Sequence, residues 1–433
     1  MVSRILYDIA IRIFVLLTHV AALFDQKAKL WVAGRRHWRQ SLAQSVSTAL
    51  VPKDSGRTLW IHAASLGEFE QGRPVIEAVR EQFPDWRIVL TFFSPSGYEI
   101  RKNYPHADLV CYLPSDTRRN AADFLDLIRP DVAIFVKYEF WANYLFALRK
   151  RGVPTLLVSA LFRKSQPFFQ WYGAFWKKML SCFTHIFVQN KDSAEMLQKI
   201  GFQHVSIAGD TRIDRVISIA GQASENALLA AFEKKSSSGE TAPLLIAGST
   251  WPPDEAILTD VMRFPVFEGF KWVLAPHDPS QSSVGRLQSA CPNDTPGAVL
   301  TYSQANTDSA RQAKVLIINN VGLLNTLYRY GRVAYIGGGL GKGIHNTLEP
   351  AAFGLPIIFG PKYTRFEEAR QFVARGGAFV VHDAAELSAV LLQLQDADFY
   401  KNASRAVLGY LEENRGATEQ VVLFLRRYFL AAV

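Results

Sequence analysis

Cysteine is scarce: Cys111, Cys182 and Cys291 are the only three in 433 residues, set far apart and without a CxxC pair. That excludes a disulfide framework and a cysteine-paired zinc site, and points to a reducing compartment. A long hydrophobic run is missing too. Ile13 to Phe24, the apolar stretch nearest the N-terminus, spans 12 residues, whereas a perpendicular membrane-spanning helix wants about 20. Extending it back to Ile5 brings in Asp8 and Arg12. No small-residue cleavage site follows, and the next stretch, QKAKLWVAGRRHWRQ, is basic and aromatic, which disfavours a signal peptide. The single D-x-D pattern, Asp396 to Asp398, lies in a polar stretch near the C-terminus rather than after a strand. A metal-bridged donor is therefore not expected, and no cofactor is called for.

What is there is the composition of a folded globular protein, 49% hydrophobic and 20% charged. The length exceeds one hydrophobic core, so two domains are expected. The net charge of +9 favours negatively charged partners. Nucleic-acid binding would need cations clustered with stacking aromatics in one module, but the cations are spread along the chain, so no nucleic acid is expected. The N-terminal stretch reads as an amphipathic or shallowly inserted helix. Its flank, with Lys27, Lys29, Arg35, Arg36, Arg39, Trp31 and Trp38, suits an anionic headgroup layer. The alternative is a core-packing helix with a solvated basic follow-up.

Short β-branched runs alternate with helical stretches: TLWIHAA from Thr58, RIVLTFF from Arg87, VAIFV from Val132, PTLLVSA from Pro154 and HIFVQN from His185. The polar break EKKSSSGETAP reads as a linker over 233–243. The pattern then restarts with PLLIAGS, KWVLAPH, KVLIIN, RVAYIGGG and PIIFGP. The reading is α/β, with two Rossmann-like halves built of parallel βαβ units. A membrane-associating segment over 1–40 is followed by one half over 41–232 and, after the linker, by the other over 244–433.

Strand-end loops hold the candidate chemistry. Glu68 follows the first strand at the opening of a helix, where a carboxylate can accept a proton from an attacking hydroxyl. Ser65 and Glu68 also fit an S-x-x-E capping box, in which Glu68 only satisfies a helix-end amide. Glu139 follows VAIFV at the same sheet edge, and Arg212 in GDTRID is a cation suited to phosphate or sugar carboxylate. In the second half, YIGGGLGKGIHNTLEPAAFG packs glycines between a strand and a helix, where backbone amides can approach a phosphate. It is not a Walker A loop, since Gly343 stands where Ser or Thr is required. Asn346 and Glu349 share one helix face. APHDP with Pro276 and His277, NNVGLL with Asn320, Val321 and Gly322, and GSTWPPDE with Ser249 and Thr250 line further strand ends.

Taken in order from about Trp60 to Gly377, these segments resemble the Kdo (3-deoxy-D-manno-octulosonic acid) transferases. WIHAASLGEFEQGRPVIEAV resembles that family's strand-Gly-Glu-helix segment and implies that Glu68 is the proton acceptor. KYEFWAN resembles E-T-E-L-W-P-N, implying transition-state stabilisation by Glu139. GDTRID resembles G-N-L-K-F-D, which puts the stabilising cation on Arg212. APHDP resembles P-R-H-P without its arginine, implying CMP contacts at Pro276 and His277. NNVGLL resembles D-T-M-G-E-L, implying them at Val321, Gly322 and Leu323. HNTLEPAA resembles H-N-P-L-E-P-A-A and carries CMP binding to Asn346, Thr347, Leu348 and Glu349. These departures look like a variant branch of the family. The resemblance implies a GT-B fold, with the two halves facing across a cleft, and a metal-independent inverting transfer of Kdo from CMP-β-Kdo to a lipid A precursor. The setting it implies is the cytoplasmic side of the inner membrane. Another GT-B enzyme, using a UDP-sugar and a lipid-linked acceptor, is the alternative at the level of fold.

Overall fold

The computed structural model of the chain describes residues 2–49, 56–222, 224–234, 241–293, 295–320 and 322–430. Val321 and positions 235–240 of the expected linker lie outside them. The chain divides into two compact units, Met1–Asp214 with Asn414–Val433, and Arg215–Glu413.

The strands of the first unit are β1 (Thr58–Ala63), β2 (Arg87–Phe92), β3 (Leu109–Tyr112), β4 (Val132–Val136), β5 (Thr155–Ala160), β6 (His185–Val188) and β7 (Val205–Ile207). They form one sheet in the order β3-β2-β1-β4-β5-β6-β7, and the β1–β2 and β1–β4 pairs are parallel. Every residue of β1 and β4 is buried, as expected of strands covered on both faces. Alternation divides them: Leu59, Ile61 and Ile134 pack with Phe69 and Val75 on one face, Trp60 and Phe135 with Phe124 and Tyr144 on the other. The helix after β1, α4 hereafter (Leu66–Gln82), supplies Phe69 and Val75, and the helix after β4, Ala142–Lys150, supplies Tyr144. The chain thus leaves β1 toward one face and β4 toward the other. Their carboxyl ends part there, which is the topological switch point where doubly wound sheets bind ligands.

The second unit repeats the plan with β8 (Leu244–Thr250), β9 (Lys271–Pro276), β10 (Val299–Thr301), β11 (Val315–Ile317), β12 (Val333–Ile336), β13 (Ile357–Phe359) and β14 (Ala378–Val380). Their order is β10-β11-β9-β8-β12-β13-β14, so the chain runs from β8 through β9 to the edge strand β10, returns to β11 between β9 and β10, and then runs outward from β12 on the other side. The switch point of this sheet lies between β8 and β12.

Among the described residues three helices precede β1: α1 (Val2–Ala21), α2 (Gln26–Ala33) and α3 (Trp38–Ala49). The start of α1 is docked by polar groups. Tyr7 Oη donates to Asp116 at 2.6 Å, Asn143 Nδ2 donates to Asp8 at 2.8 Å, Arg4 donates to Asn143 Oδ1, and Arg118 pairs with Asp8. Farther along, Leu16 and Leu17 are more than 60% exposed, and Leu23 and Phe24 beyond the helix more than 75%. Asp8 and Arg12 interrupt the apolar run, and among the described residues no helix is long and apolar enough to cross a membrane.

Candidate active site

Glu68 and Glu139 follow the two strands that flank the switch point of the first sheet. Glu68 sits in the first turn of α4, whose N-cap Ser65 accepts from the Gly67 amide. The Ser65 hydroxyl donates to Glu68 Oε2. Glu68 therefore binds the serine hydroxyl, and the serine-amide bond that would complete a capping box is not among those holding this turn. Its charge reaches the loop after β4: burial, with Glu68 adding to it, raises the Tyr138 phenol above its ordinary range. That loop opens with Lys137 at φ 65°, a left-handed conformation that β-region strand residues do not adopt. Such local strain clusters at sites where side chains are aimed rather than merely packed.

Glu139 is 9% exposed and belongs to a buried chain of hydrogen bonds. Trp141 Nε1 donates to Glu139 Oε2 at 2.7 Å, and His62 Nε2 lies 3.2 Å from the same oxygen. His62 Nδ1 is 2.8 Å from Thr91 Oγ1, which accepts from Trp60 Nε1 at 2.9 Å. Trp141 Nε1 also lies 3.0 Å from His62 Nε2, so two tautomers fit: Nε2–H donates to the carboxylate while Thr91 donates to Nδ1, or Nε2 accepts from Trp141 while Nδ1–H donates to Thr91. The histidine is fully buried in β1 and is placed by the pairing of β1 with β2 and β4.

Arg212 stands beside the same sheet edge. Its Nε and Nη2 donate to Asp210 Oδ2 at 3.0 and 2.6 Å, and Gln71, three residues after Glu68 in α4, donates to that carboxylate at 3.1 Å. Burial pushes the Asp210 pKa up, but the Arg212 charge and the donated bonds outweigh it and hold it below the ordinary value. The structure thus presents an arginine fixed by a carboxylate, with part of its charge already balanced.

In the second unit, loops after β8, β9 and β12 bring Trp251, His277 and His345 into one stack. The rings of Trp251 and His277 are stacked nearly parallel with centres 4.4 Å apart, and those of His277 and His345 are 4.7 Å apart. Trp251 Nε1 donates to His345 Nε2 at 3.1 Å, and the Lys342 ammonium lies 5.0 Å from the Trp251 ring. Burial, then the neighbouring His277, lowers the His345 pKa, so its ring is neutral near pH 7.

The glycine loop turns out differently from its expectation. A side chain at Gly337 would strike the backbone of Ser249, and one at Gly339 the backbone of Gly360. The amides are used internally: Gly337 donates to Gly248, Gly338 to Asp254, and both Gly341 and Gly343 to the Gly338 carbonyl. These glycines let three loops close on one another, and those four amides are not free to cradle a phosphate. Thr250 is likewise occupied, buried and bonded to Glu255.

Residues 36–215 match the family model described as 3-deoxy-D-manno-octulosonic-acid transferase (kdotransferase). The 3-deoxy-D-manno-octulosonic acid transferase of Haemophilus influenzae is 25% identical over 90% of this chain and 92% of its own. That of Aquifex aeolicus is 25% identical over 84% of this chain and 96% of its own. The chain carries a Kdo transferase domain in its first unit and is similar to Kdo transferases over most of its length. Among solved structures, UDP-GlcNAc 2-epimerase from Neisseria meningitidis aligns with a TM-score of 0.57 at 15% identity, over 86% of this chain and 100% of that one. MurG of Acinetobacter baumannii aligns with 0.53 at 11% identity, over 86% and 100%. Such likeness bears on the fold, which is of the GT-B class.

In this Kdo-transferase-like chain, Glu68, Glu139 and Arg212 all fall in the first unit, at the carboxyl edge of its sheet. Pro276 is buried at the end of β9 and His277 is exposed just after it, its amide donating to Thr250. Gly322 has φ 91°, and Leu323 precedes the short helix Leu324–Leu327. Asn346 Nδ2 donates to Glu349 Oε1 at 3.0 Å, so these two present one joined polar surface. Thr347 and Leu348 are fully buried, and their backbone groups bond within this turn, the Leu348 amide to Asn346 Oδ1 and the two carbonyls to the amides of Ala351 and Ala352. Sequence reasoning missed His62, Thr91, Trp251 and His345 as parts of these sites. His62 sits inside an apolar strand, where only knowledge of the partner strands gives it a role.

Proposed function

We propose that the protein is a metal-independent glycosyltransferase moving Kdo from CMP-Kdo to a lipid A-type acceptor in lipopolysaccharide biosynthesis. The observation that carries this reading is the family relationship over nearly the whole chain, joined to two carboxylates at one switch point. In the reaction, the acceptor hydroxyl oxygen attacks the anomeric carbon of Kdo while the bond from that carbon to the CMP phosphate oxygen breaks. Glu68 takes the hydroxyl proton. Glu139 stabilises positive charge developing on the sugar ring, and Arg212 stabilises negative charge on the departing phosphate. Attack opposite the leaving group converts CMP-β-Kdo to an α-ketoside. The second unit holds CMP through the loops carrying Pro276 and His277, Val321 to Leu323, and Asn346 to Glu349.

Calorimetric titration tests the donor. CMP binds, and UDP binds at least roughly tenfold more weakly; the reverse preference establishes the UDP-sugar alternative. Asn346→Ala or Glu349→Ala weakens CMP by about 1–3 kcal/mol, the cost of losing a hydrogen bond to a buried or charged partner. An unchanged dissociation constant in both variants places the nucleotide elsewhere.

Our reading sets the enzyme on the cytoplasmic side of the inner membrane, held by the exposed apolar surface of α1. Leu16→Glu combined with Leu17→Glu releases the protein from the membrane fraction. The detergent-dispersed reaction keeps its turnover, because neither side chain contacts the candidate site. A variant that stays in the membrane fraction refutes anchoring by α1.

A further inference from the structure

A cavity of about 790 Å³ opens among α1, α2, α3 and the chain at Ser115 and Asn120. Arg35, Arg36 and Arg39 line it, and neither Glu68 nor Glu139 does. No carboxylate lines it either. Arg39 is balanced by Asp123 at 2.6 Å, a carboxylate that Arg119 also approaches. Arg35 donates only to carbonyl oxygens, those of Trp31, Phe93 and Leu113, and lies 4.0 Å from the Trp31 ring centre. Arg36 is exposed, and no ion pair or hydrogen bond of its side chain is seen among the described residues. Arg35 is thus held by three carbonyls and by the rings of Trp31, Phe93 and Tyr112, while Arg36 brings to the cavity a hydrated charge with no counter-charge seen among the described residues. Burial lowers the Arg35 pKa to about 9, which still leaves it charged at neutral pH.

The remaining wall is apolar, made by Val15, Trp31 and Val32. Val15 belongs to α1, whose neighbouring side chains Leu16 and Leu17 are exposed. A ligand filling this space therefore carries an anion with several acceptor oxygens at one end, which arginine forks recognise, and a hydrocarbon portion at the other. His19 also lines the cavity, with its Nδ1 2.8 Å from the Val15 carbonyl.

We infer that this cavity is a binding site for the phosphate of an amphiphile, with Arg35 and Arg36 taking the phosphate and the Val15–Trp31 wall taking the start of its chains. The inference rests on the reading of α1 as membrane-facing, and its test separates the two. The full chain is titrated calorimetrically with dihexanoyl phosphatidic acid below its micelle concentration, with dihexanoyl phosphatidylcholine, and with inorganic phosphate. Phosphatidic acid saturates one site, while phosphatidylcholine and inorganic phosphate bind at least roughly tenfold more weakly. Arg36→Gln weakens phosphatidic acid by roughly tenfold or more, and Arg36→Lys recovers part of it. Lys164→Gln with Lys177→Gln, exposed cations of the same unit outside the cavity, changes nothing.

Equal binding of inorganic phosphate overturns the lipid source. An equal loss in the Lys164/Lys177 variant overturns the site in favour of diffuse charge, and an unchanged Arg36→Gln overturns it outright. Should Leu16→Glu with Leu17→Glu leave membrane partition intact while Arg36→Gln still loses phosphatidic acid, the anchoring reading fails and the cavity assignment stands.

Discussion

Glu68→Gln lowers turnover by roughly 100-fold or more while CMP affinity stays near that of the wild type. Glutamine keeps the size of the side chain, and its Oε1 can still accept the Ser65 hydroxyl, so the first turn of α4 keeps its local bonding. It cannot take a proton near neutral pH. Thermal unfolding is expected to change little, because Glu68 is only partly buried and its hydrogen bond with Ser65 survives the substitution. Steady-state turnover, CMP titration and melting on the same preparation separate the two roles of this carboxylate. Near-normal turnover with a lowered melting temperature would leave Glu68 as a helix-start residue and nothing more.

The inner strands were legible because they are buried on both faces and read as continuous apolar runs. Four strands escaped, β3, β7, β10 and β14, and they are the outermost strands of the two sheets. Each has three or four residues, and exposure interrupts its burial pattern. Nothing in so short a window distinguishes an edge strand from a loop, since its pairing is set by a neighbour far away in sequence.

The site divides in the same way. Glu68 and Glu139 were legible because a carboxylate just past a strand end needs no tertiary information to be noticed. His62 was not, because it meets Glu139 across 77 positions of sequence through the register of β1 with β4. Trp251 meets His345 across 94 positions. The glycine loop shows the opposite error, a strong local signal with a different cause. Glycines between a strand and a helix fit both phosphate binding and close backbone packing, and the Cβ positions that Gly337 and Gly339 leave empty are filled by neighbouring backbone.

Asn143 is a related case. It ends the KYEFWAN segment, yet its side chain faces away from the carboxylate chemistry and joins Arg4, Asp8 and the Asp116 carbonyl. One short segment therefore serves two purposes: Glu139 and Trp141 build the candidate site, and Asn143, two residues on, holds the start of α1. Burial raises the Asp116 pKa to about 6 against the bonds that Tyr7, Asn143 and Tyr144 donate to it. An internal carboxyl group with a polar shell thus couples the N-terminal helix to the sheet.

The second large effect concerns Glu139 and His62 together. Glu139→Ala lowers turnover by about 100- to 1000-fold, the range seen when one preorganised charge-stabilising group is removed. His62→Ala lowers it nearly as much, although no substrate atom reaches a histidine buried within β1. Without His62, Glu139 Oε2 keeps only the Trp141 bond, and a cavity opens beside the carboxylate. A positioning residue acts through its partner, so the double variant should be little worse than Glu139→Ala alone, whereas independent contributions would multiply. His62→Gln, which can span Thr91 and Glu139 with an amide, should recover part of the activity. CMP affinity is the control, because both residues belong to the first unit and the loops proposed to hold CMP to the second. Multiplicative losses in the double variant, or full activity in His62→Ala, would show that the buried hydrogen-bond chain stabilises the fold without setting the carboxylate for catalysis.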